Sequence, residues 1–237
     1  VEQKKEKATT KSLLKNKIFI TSLSLNLFAL ICLVLLIIKR IKYNRLPEIS
    51  YKSWHQERVD LFKHLPIDTS DFVFVGNSLI ERFPLHEMLH IENIKNRGIS
   101  GDKSVDILNR IEDVARAKPA KIFLEGSIND IINKHSVDSA IYNIKLVINR
   151  IRQLSPNSKI YFHSVLPTAK FIDEIKIYNK QLDLYCSLNK VTFIDLYGEF
   201  LSKEKTHIDT ALTTDGLHLN YSGYKKWAIK LESYVSK

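Results

Sequence analysis

Five short apolar runs, each followed by enough chain for a helix, constrain the fold of this 237-residue chain more than any other feature. They occupy residues 72–75, 94–97, 121–125, 160–164 and 191–195, the second of them the weakest because it reads Ile-Lys-Asn-Arg. Residues 103–117, 137–154 and 171–189 repeat apolar side chains at helical spacing, and 221–234 close the chain the same way. A helix between two strands carries the chain back to the end where it started, so successive strands pair in parallel. The pattern predicts an α/β domain with a five-stranded parallel sheet covered on both faces. Sheets of this kind bind ligands beyond the carboxyl ends of their strands.

A second kind of segment precedes this pattern. Residues 18–38 form a 21-residue stretch with no ionisable side chain except the thiol of Cys32. As a helix it reaches about 31 Å, the thickness of a bilayer hydrocarbon core. A cleaved signal peptide would have a shorter apolar region and a small-residue cleavage site, whereas Lys39 and Arg40 follow this one directly. A lipid-attached Cys32 would ordinarily follow a small residue, and Ile31 is bulky. The expected organisation is therefore a basic arm over 1–17, a transmembrane anchor over 18–38, a linker over 39–53 and a folded domain over 54–237. Trp54, Arg58, Leu61, Phe62 and Leu65 fall at helical spacing and suggest an amphipathic helix leading into that domain.

The net charge of +10 invites a nucleic-acid reading until it is located. Residues 1–52 hold eleven Lys or Arg against three Glu, an excess of +8, and the other 185 residues carry only +2. The basic excess thus flanks the span, where it meets anionic headgroups, and nucleic acid is not an expected partner. Both flanks are basic, but the short N-terminal arm favours a signal anchor with the domain outside the cytoplasm. Cys186 has no partner cysteine within the domain.

Three blocks supply the chemistry. Gly76-Asn77-Ser78-Leu79 follows the first run, Asn129-Asp130 the third, and Asp215-Gly216-Leu217-His218 lies near the C-terminus. A serine hydroxyl attacks a carbonyl at neutral pH only if an imidazole takes its proton, and the imidazolium then needs a carboxylate. Ser78, His218 and Asp215 are the candidates for those roles.

With a fourth block, Asn96-Arg97-Gly98-Ile99-Ser100-Gly101-Asp102, the chain from residue 54 onward resembles the SGNH or GDSL esterase family. The resemblance implies a three-layer α/β/α, flavodoxin-like fold with Ser78 as nucleophile, His218 as base and Asp215 as its partner. It implies an oxyanion hole made from the N–H groups of Ser78 and Gly101 and the side-chain amide of Asn129. No metal or organic cofactor is required. Two residues depart from the family pattern. Asn77 stands where Gly-Asp-Ser-Leu has its aspartate, which implies altered hydrogen bonding beside the serine with activity retained. Ser127 takes the glycine position of Gly-x-Asn-Asp, narrowing the space beside Asn129.

Other motifs compete with these blocks. His86-Glu87-Met88-Leu89-His90 fits the zinc motif H-E-x-x-H, with Glu112 as a third ligand, but would leave the four blocks as coincidence. His163 reads as a histidine packed at the core edge, and Tyr221, Tyr224 and Trp227 as core packing of the last helix. Ser100 and Ser127 lack the strand-to-helix setting of Ser78. The expected activity is serine-dependent hydrolysis of small acyl esters, foremost acetyl on carbohydrates, as the similarity to the acetylhydrolase-like branch implies. The alternatives are a lysophospholipase or thioesterase beside the bilayer, or an inactive SGNH-like glycan-binding module. Oligomeric state stays open.

Overall fold

The structure, a computed structural model, describes residues 21–40 and 54–236. The chain divides into two compact units, Val1–Gln56 and Glu57–Lys237. In the first, Thr21–Arg40 form one helix long and apolar enough to cross a bilayer. Residues 18–20 of the expected span and 41–53 of the linker lie outside the described residues.

In the second unit five strands, β1 (Phe72–Gly76), β2 (Ile94–Gly98), β3 (Lys121–Leu124), β4 (Lys159–His163) and β5 (Thr192–Ile194), pair in parallel throughout. Their order is β2-β1-β3-β4-β5. Eight α-helices follow β1 along the chain: α1 (Ser78–Glu81), α2 (Leu85–Leu89), α3 (Ser104–Arg116), α4 (Ile128–Ile132), α5 (Val137–Leu154), α6 (Ile172–Leu188), α7 (Tyr197–Phe200) and α8 (Tyr221–Val235). Residues 54–64 are helical, at the position of the expected lead-in helix. The long helices and all five strands fall within a few residues of where the apolar spacing places them. This is the three-layer, flavodoxin-like arrangement.

Side chains alternate across a strand, so each strand feeds two cores. Val73, Val75, Ile122, Leu124, Ile160 and Phe162 point to the face covered by α3, α5 and α6. Phe72, Phe74, Phe123 and Tyr161 point to the other, where α8 delivers Trp227 and Leu231. The register places Phe74 beside Phe123 and Phe123 beside Tyr161, and their rings stack at 4.3 and 4.5 Å. Tyr224 and Trp227 are buried as expected, but Tyr221 is 69% exposed. It is the first residue of α8 and stays in solvent, although Gly223 and Tyr224 of the same turn are buried.

The sheet order locates the functional end. From β1 the chain leaves to one side for β2, and from β2 it returns across to β3 on the other side. These connections diverge at the carboxyl ends of β1 and β3, the switch point at which sheets of this kind form their ligand crevice.

His163, at the end of β4, has no exposed surface and sits among Phe74, Phe123 and Trp227. Burial lowers its pKa from 6.5 to about 3, so the folded protein holds it neutral. The unfolded chain binds the extra proton between those values, so stability falls as pH drops from 6.5 toward 3. The expected slope from this residue is up to about 1.4 kcal/mol per pH unit. Urea unfolding between pH 7 and 4 should show that loss, and His163→Phe should flatten it.

Candidate active site

Strand β1 ends at Gly76, and α1 starts two residues later at Ser78. The turn between them is tight enough to exclude a side chain at Gly76: a Cβ there would lie 2.6 Å from Ile80 Cγ1 and 2.7 Å from Glu125 Oε2. Asn77 caps the helix, its Oδ1 accepting from the Leu79 N–H at 2.9 Å. Ser78 is therefore presented at the first position of a helix, at the mouth of the crevice.

His218 arrives from the opposite end of the sequence. Thr213 and Leu219 form an antiparallel bridge, and the His218 carbonyl accepts from the Thr214 N–H at 2.9 Å and the Thr213 hydroxyl at 2.7 Å. These bonds close a small loop just before α8, which Asn220 caps by accepting from the Gly223 N–H. The loop places His218 Nε2 3.0 Å from Ser78 Oγ. On the ring's other side, Nδ1 lies 2.7 Å from Asp215 Oδ2.

The three-residue spacing of Asp215 and His218 has a local cause. Asp215 Oδ1 accepts from the N–H groups of Leu217 at 3.0 Å and His218 at 2.7 Å, leaving Oδ2 for the imidazole. Partial burial pushes this carboxyl up, but the His218 side-chain bond and the two backbone N–H bonds outweigh it and bring the pKa down to about 2. Asp215 is thus ionised at neutral pH and fixes the Nδ1–H tautomer, leaving Nε2 free to accept a hydroxyl proton.

Gly101 follows β2 with φ +85°, a conformation that favours glycine. Asn129 sits in α4 and donates one amide N–H to the Asp102 carbonyl at 2.9 Å, which orients the amide and leaves its second N–H uncommitted by that bond. Its neighbour Asp130 turns inward and accepts from the Ser104 N–H at 2.8 Å and the Ser104 hydroxyl at 2.7 Å. The Asn-Asp dipeptide thus locks α4 onto the start of α3.

Several participants escaped the sequence reading. Arg110, in α3, bonds Asp102 Oδ2 at 2.7 Å and the Gly76 carbonyl at 3.1 Å. Glu125, fully buried at the end of β3, accepts from the Asn77 N–H at 3.3 Å and its amide Nδ2 at 3.1 Å. Burial pushes the Glu125 carboxyl up to about 7, only partly opposed by the two Asn77 bonds. A signal for Glu125 existed: an acid that closes an apolar run in a central strand needs a buried partner. Arg110 stood two helical turns beyond Asp102 on the buried side of α3.

The rival residues are committed elsewhere. His86 Nδ1 bonds the Ile91 carbonyl, α2 ends at Leu89, and His90 turns to φ 53°. Glu112 pairs with Arg116 and Arg150. Among the described residues no group of three His, Cys, Asp or Glu side chains is placed to hold a metal. The Ser100 hydroxyl bonds the Glu81 carboxylate. Ser127 is buried and receives the Tyr178 hydroxyl at 2.7 Å.

Known proteins share this fold. Residues 75–226 match the sequence profile of the GDSL-like Lipase/Acylhydrolase family. The chain belongs to that family, and it is a carboxylic ester hydrolase. No curated protein matches it. Among solved structures, a protein of Streptococcus pneumonia named after platelet activating factor is 24% identical with a TM-score of 0.72, over 81% of this chain and 97% of that one. A GDSL-like lipase from Bacteroides thetaiotaomicron is 24% identical with a TM-score of 0.66, over 78% and 96%. An acetyl-xylooligosaccharide esterase from Geobacillus Stearmophilus is 19% identical with a TM-score of 0.59, over 72% and 96%. At these identities the likeness establishes the shared fold.

Ser127 generates a test. Its φ of +87° is strained for a residue with a Cβ, at a cost of about 1–2 kcal/mol, while its hydroxyl satisfies Tyr178. Ser127→Gly removes the strain but orphans a buried phenol, which costs about 1–3 kcal/mol. The expected outcome in urea unfolding is that Ser127→Gly alone gains little or loses stability. Ser127→Gly combined with Tyr178→Phe should exceed the wild type.

Proposed function

We propose that this protein is a membrane-anchored serine esterase that removes small acyl groups, foremost acetyl, from carbohydrate hydroxyls through an acyl-enzyme. The observation that carries the reading is the continuous chain from Ser78 Oγ through His218 to Asp215 at the crevice of the sheet. In this mechanism Ser78 Oγ attacks the ester carbonyl as its proton passes to His218 Nε2. Asp215 balances the imidazolium through Nδ1–H. The carbonyl oxygen, now negative, is received by the N–H groups of Ser78 and Gly101 and by the second amide N–H of Asn129. His218 returns the proton to the departing alkoxide, and water cleaves the acyl-Ser78 ester through the same base.

The acetyl-sugar preference is supported by the likeness to the acetyl-xylooligosaccharide esterase and by short segments around the crevice. Gly101 lies just before α3 and Asn129 within the five-residue α4, leaving little chain for an apolar lid. The anchor is supported by the helix Thr21–Arg40, where Leu25 and Phe28 are 73% and 69% exposed. Each such side chain left in water forgoes about 1.5–3 kcal/mol, which a hydrocarbon core supplies. The basic residues on either side of this helix would meet anionic headgroups at its ends.

A fluorophosphonate probe should label the full-length wild type in detergent and fail to label Ser78→Ala. Labelling that survives in Ser78→Ala would remove Ser78 from its role. Asn129→Ala should lower kcat by about 100- to 1,000-fold with KM nearly unchanged. Acetylated sugars and p-nitrophenyl acetate should be hydrolysed faster than longer p-nitrophenyl esters or lysolipids; the reverse order would assign the lipid alternative. The full chain should stay with membranes through alkaline carbonate extraction.

A further inference from the structure

Asn77 and Glu125 lie 48 residues apart, yet they meet through two hydrogen bonds directly behind Ser78. Glu125 has no room to move: it is 2% exposed, and its own N–H bonds the Val75 carbonyl at 2.9 Å. Both carboxylate oxygens are used on a single residue. Oε2 takes the Asn77 main-chain N–H, and Oε1 takes its side-chain amide. The grip fixes the Gly76–Asn77 peptide and turns Asn77 Oδ1 toward the Leu79 N–H, which caps the helix that Ser78 opens. Glu125 also lies four residues before Asn129 on the same strand-to-helix connection. One side chain therefore links the segment carrying the serine to the segment carrying the amide.

We propose that Glu125 is a positioning residue that aims Ser78 through Asn77, and that the two form an acid–amide pair whose members can be exchanged. The inference rests on Ser78 being the nucleophile, as proposed above. Its physical content lies in the count of donors and acceptors. In the wild type every atom of the pair is matched: two donors on residue 77 face two acceptors on residue 125. Glu125→Gln replaces one acceptor with an NH₂ group, so one contact becomes donor against donor. Asn77→Asp sets two acids against each other without water, and one must take a proton. In the double variant the carboxylate introduced at position 77 accepts from the NH₂ group introduced at position 125. The carbonyl of that new amide accepts the main-chain N–H of residue 77. Every group is matched again, with the acid now on the other segment.

The experiment uses the full-length protein in detergent, with kcat and KM for p-nitrophenyl acetate and the rate of fluorophosphonate labelling. E125Q and N77D should each lower kcat and the labelling rate by about 10- to 100-fold with KM nearly constant. N77D/E125Q should recover both to within about threefold of wild type, because contacting residues couple where distant ones add. A double variant no better than its poorer parent overturns the proposal, as does E125Q with wild-type kcat. Should a single variant fail to fold, the double variant decides alone: folded and active supports the pair, inactive overturns it. Labelling that persists in Ser78→Ala would instead signal failure of the underlying assignment.

Discussion

The buried ion pair of Arg110 and Asp102 is the contact on which the rest of the site depends. Both side chains are more than nine-tenths buried, and their charges meet at 2.7 Å. Desolvating two ions offsets most of their attraction, so the pair adds little net stability. What it fixes is position. The Arg110 fork has a second arm, which holds the Gly76 carbonyl at the end of β1. Asp102, in turn, uses its main-chain carbonyl to orient the Asn129 amide. Three segments that reach the crevice from β1, β2 and β3 are thereby spaced by one guanidinium, whose planar geometry tolerates little error.

Around that hub the carboxyl groups are sorted by environment. Asp215 lies on a partly exposed loop, bonded by two N–H groups and an imidazole, and its pKa is brought down to about 2. Glu125 is sealed beneath the Ser78 turn and pushed up to about 7. One acid stays charged beside His218, while the other lies close enough to neutrality for its hydrogen bonds to decide its state. Asp130, third of the set, is consumed by Ser104 and serves the fold. Adjacent residues in one motif thus have different partners: Asn129 bonds the Asp102 carbonyl and Asp130 the N–H and hydroxyl of Ser104.

Burial on a two-faced sheet leaves a direct imprint, continuous apolar runs along strands and a period of three to four along helices, which made the long helices and the strands legible, β2 least of all because only Ile94 of its Ile-Lys-Asn-Arg-Gly is a large apolar residue. The motif residues were legible for a related reason, since the Asp215–His218 spacing reflects bonds within one short loop. Tyr221 misled the same reasoning, as spacing names a helix face but not where the covering layer ends. Arg110 and Tyr178 were not legible as participants, and Glu125 only as a buried acid whose partner the sequence does not name. Glu125 meets Asn77 from 48 residues away, Arg110 meets the Gly76 carbonyl from 34 and Tyr178 meets Ser127 from 51, contacts that only the closed sheet makes, although Arg110 also pairs with Asp102 eight residues before it.

The two departures from the family pattern yield to the same logic. A motif is written as neighbours in sequence, but a buried polar group is satisfied by neighbours in space. Serine at 127 would be a defect if its hydroxyl were orphaned; instead Tyr178 supplies a donor, which offsets the strained backbone. Asparagine at 77 would be a defect if its amide faced an apolar wall; instead Glu125 supplies an acceptor. Decay of a site leaves unmatched donors and acceptors behind, because selection no longer removes their cost. Here Tyr178 would lose its acceptor if residue 127 reverted to glycine, and Glu125 would face a second acid if residue 77 reverted to aspartate. Each substitution and its distant partner are therefore one structural unit, and the inactive-module reading loses the unpaired groups on which it would have to rest.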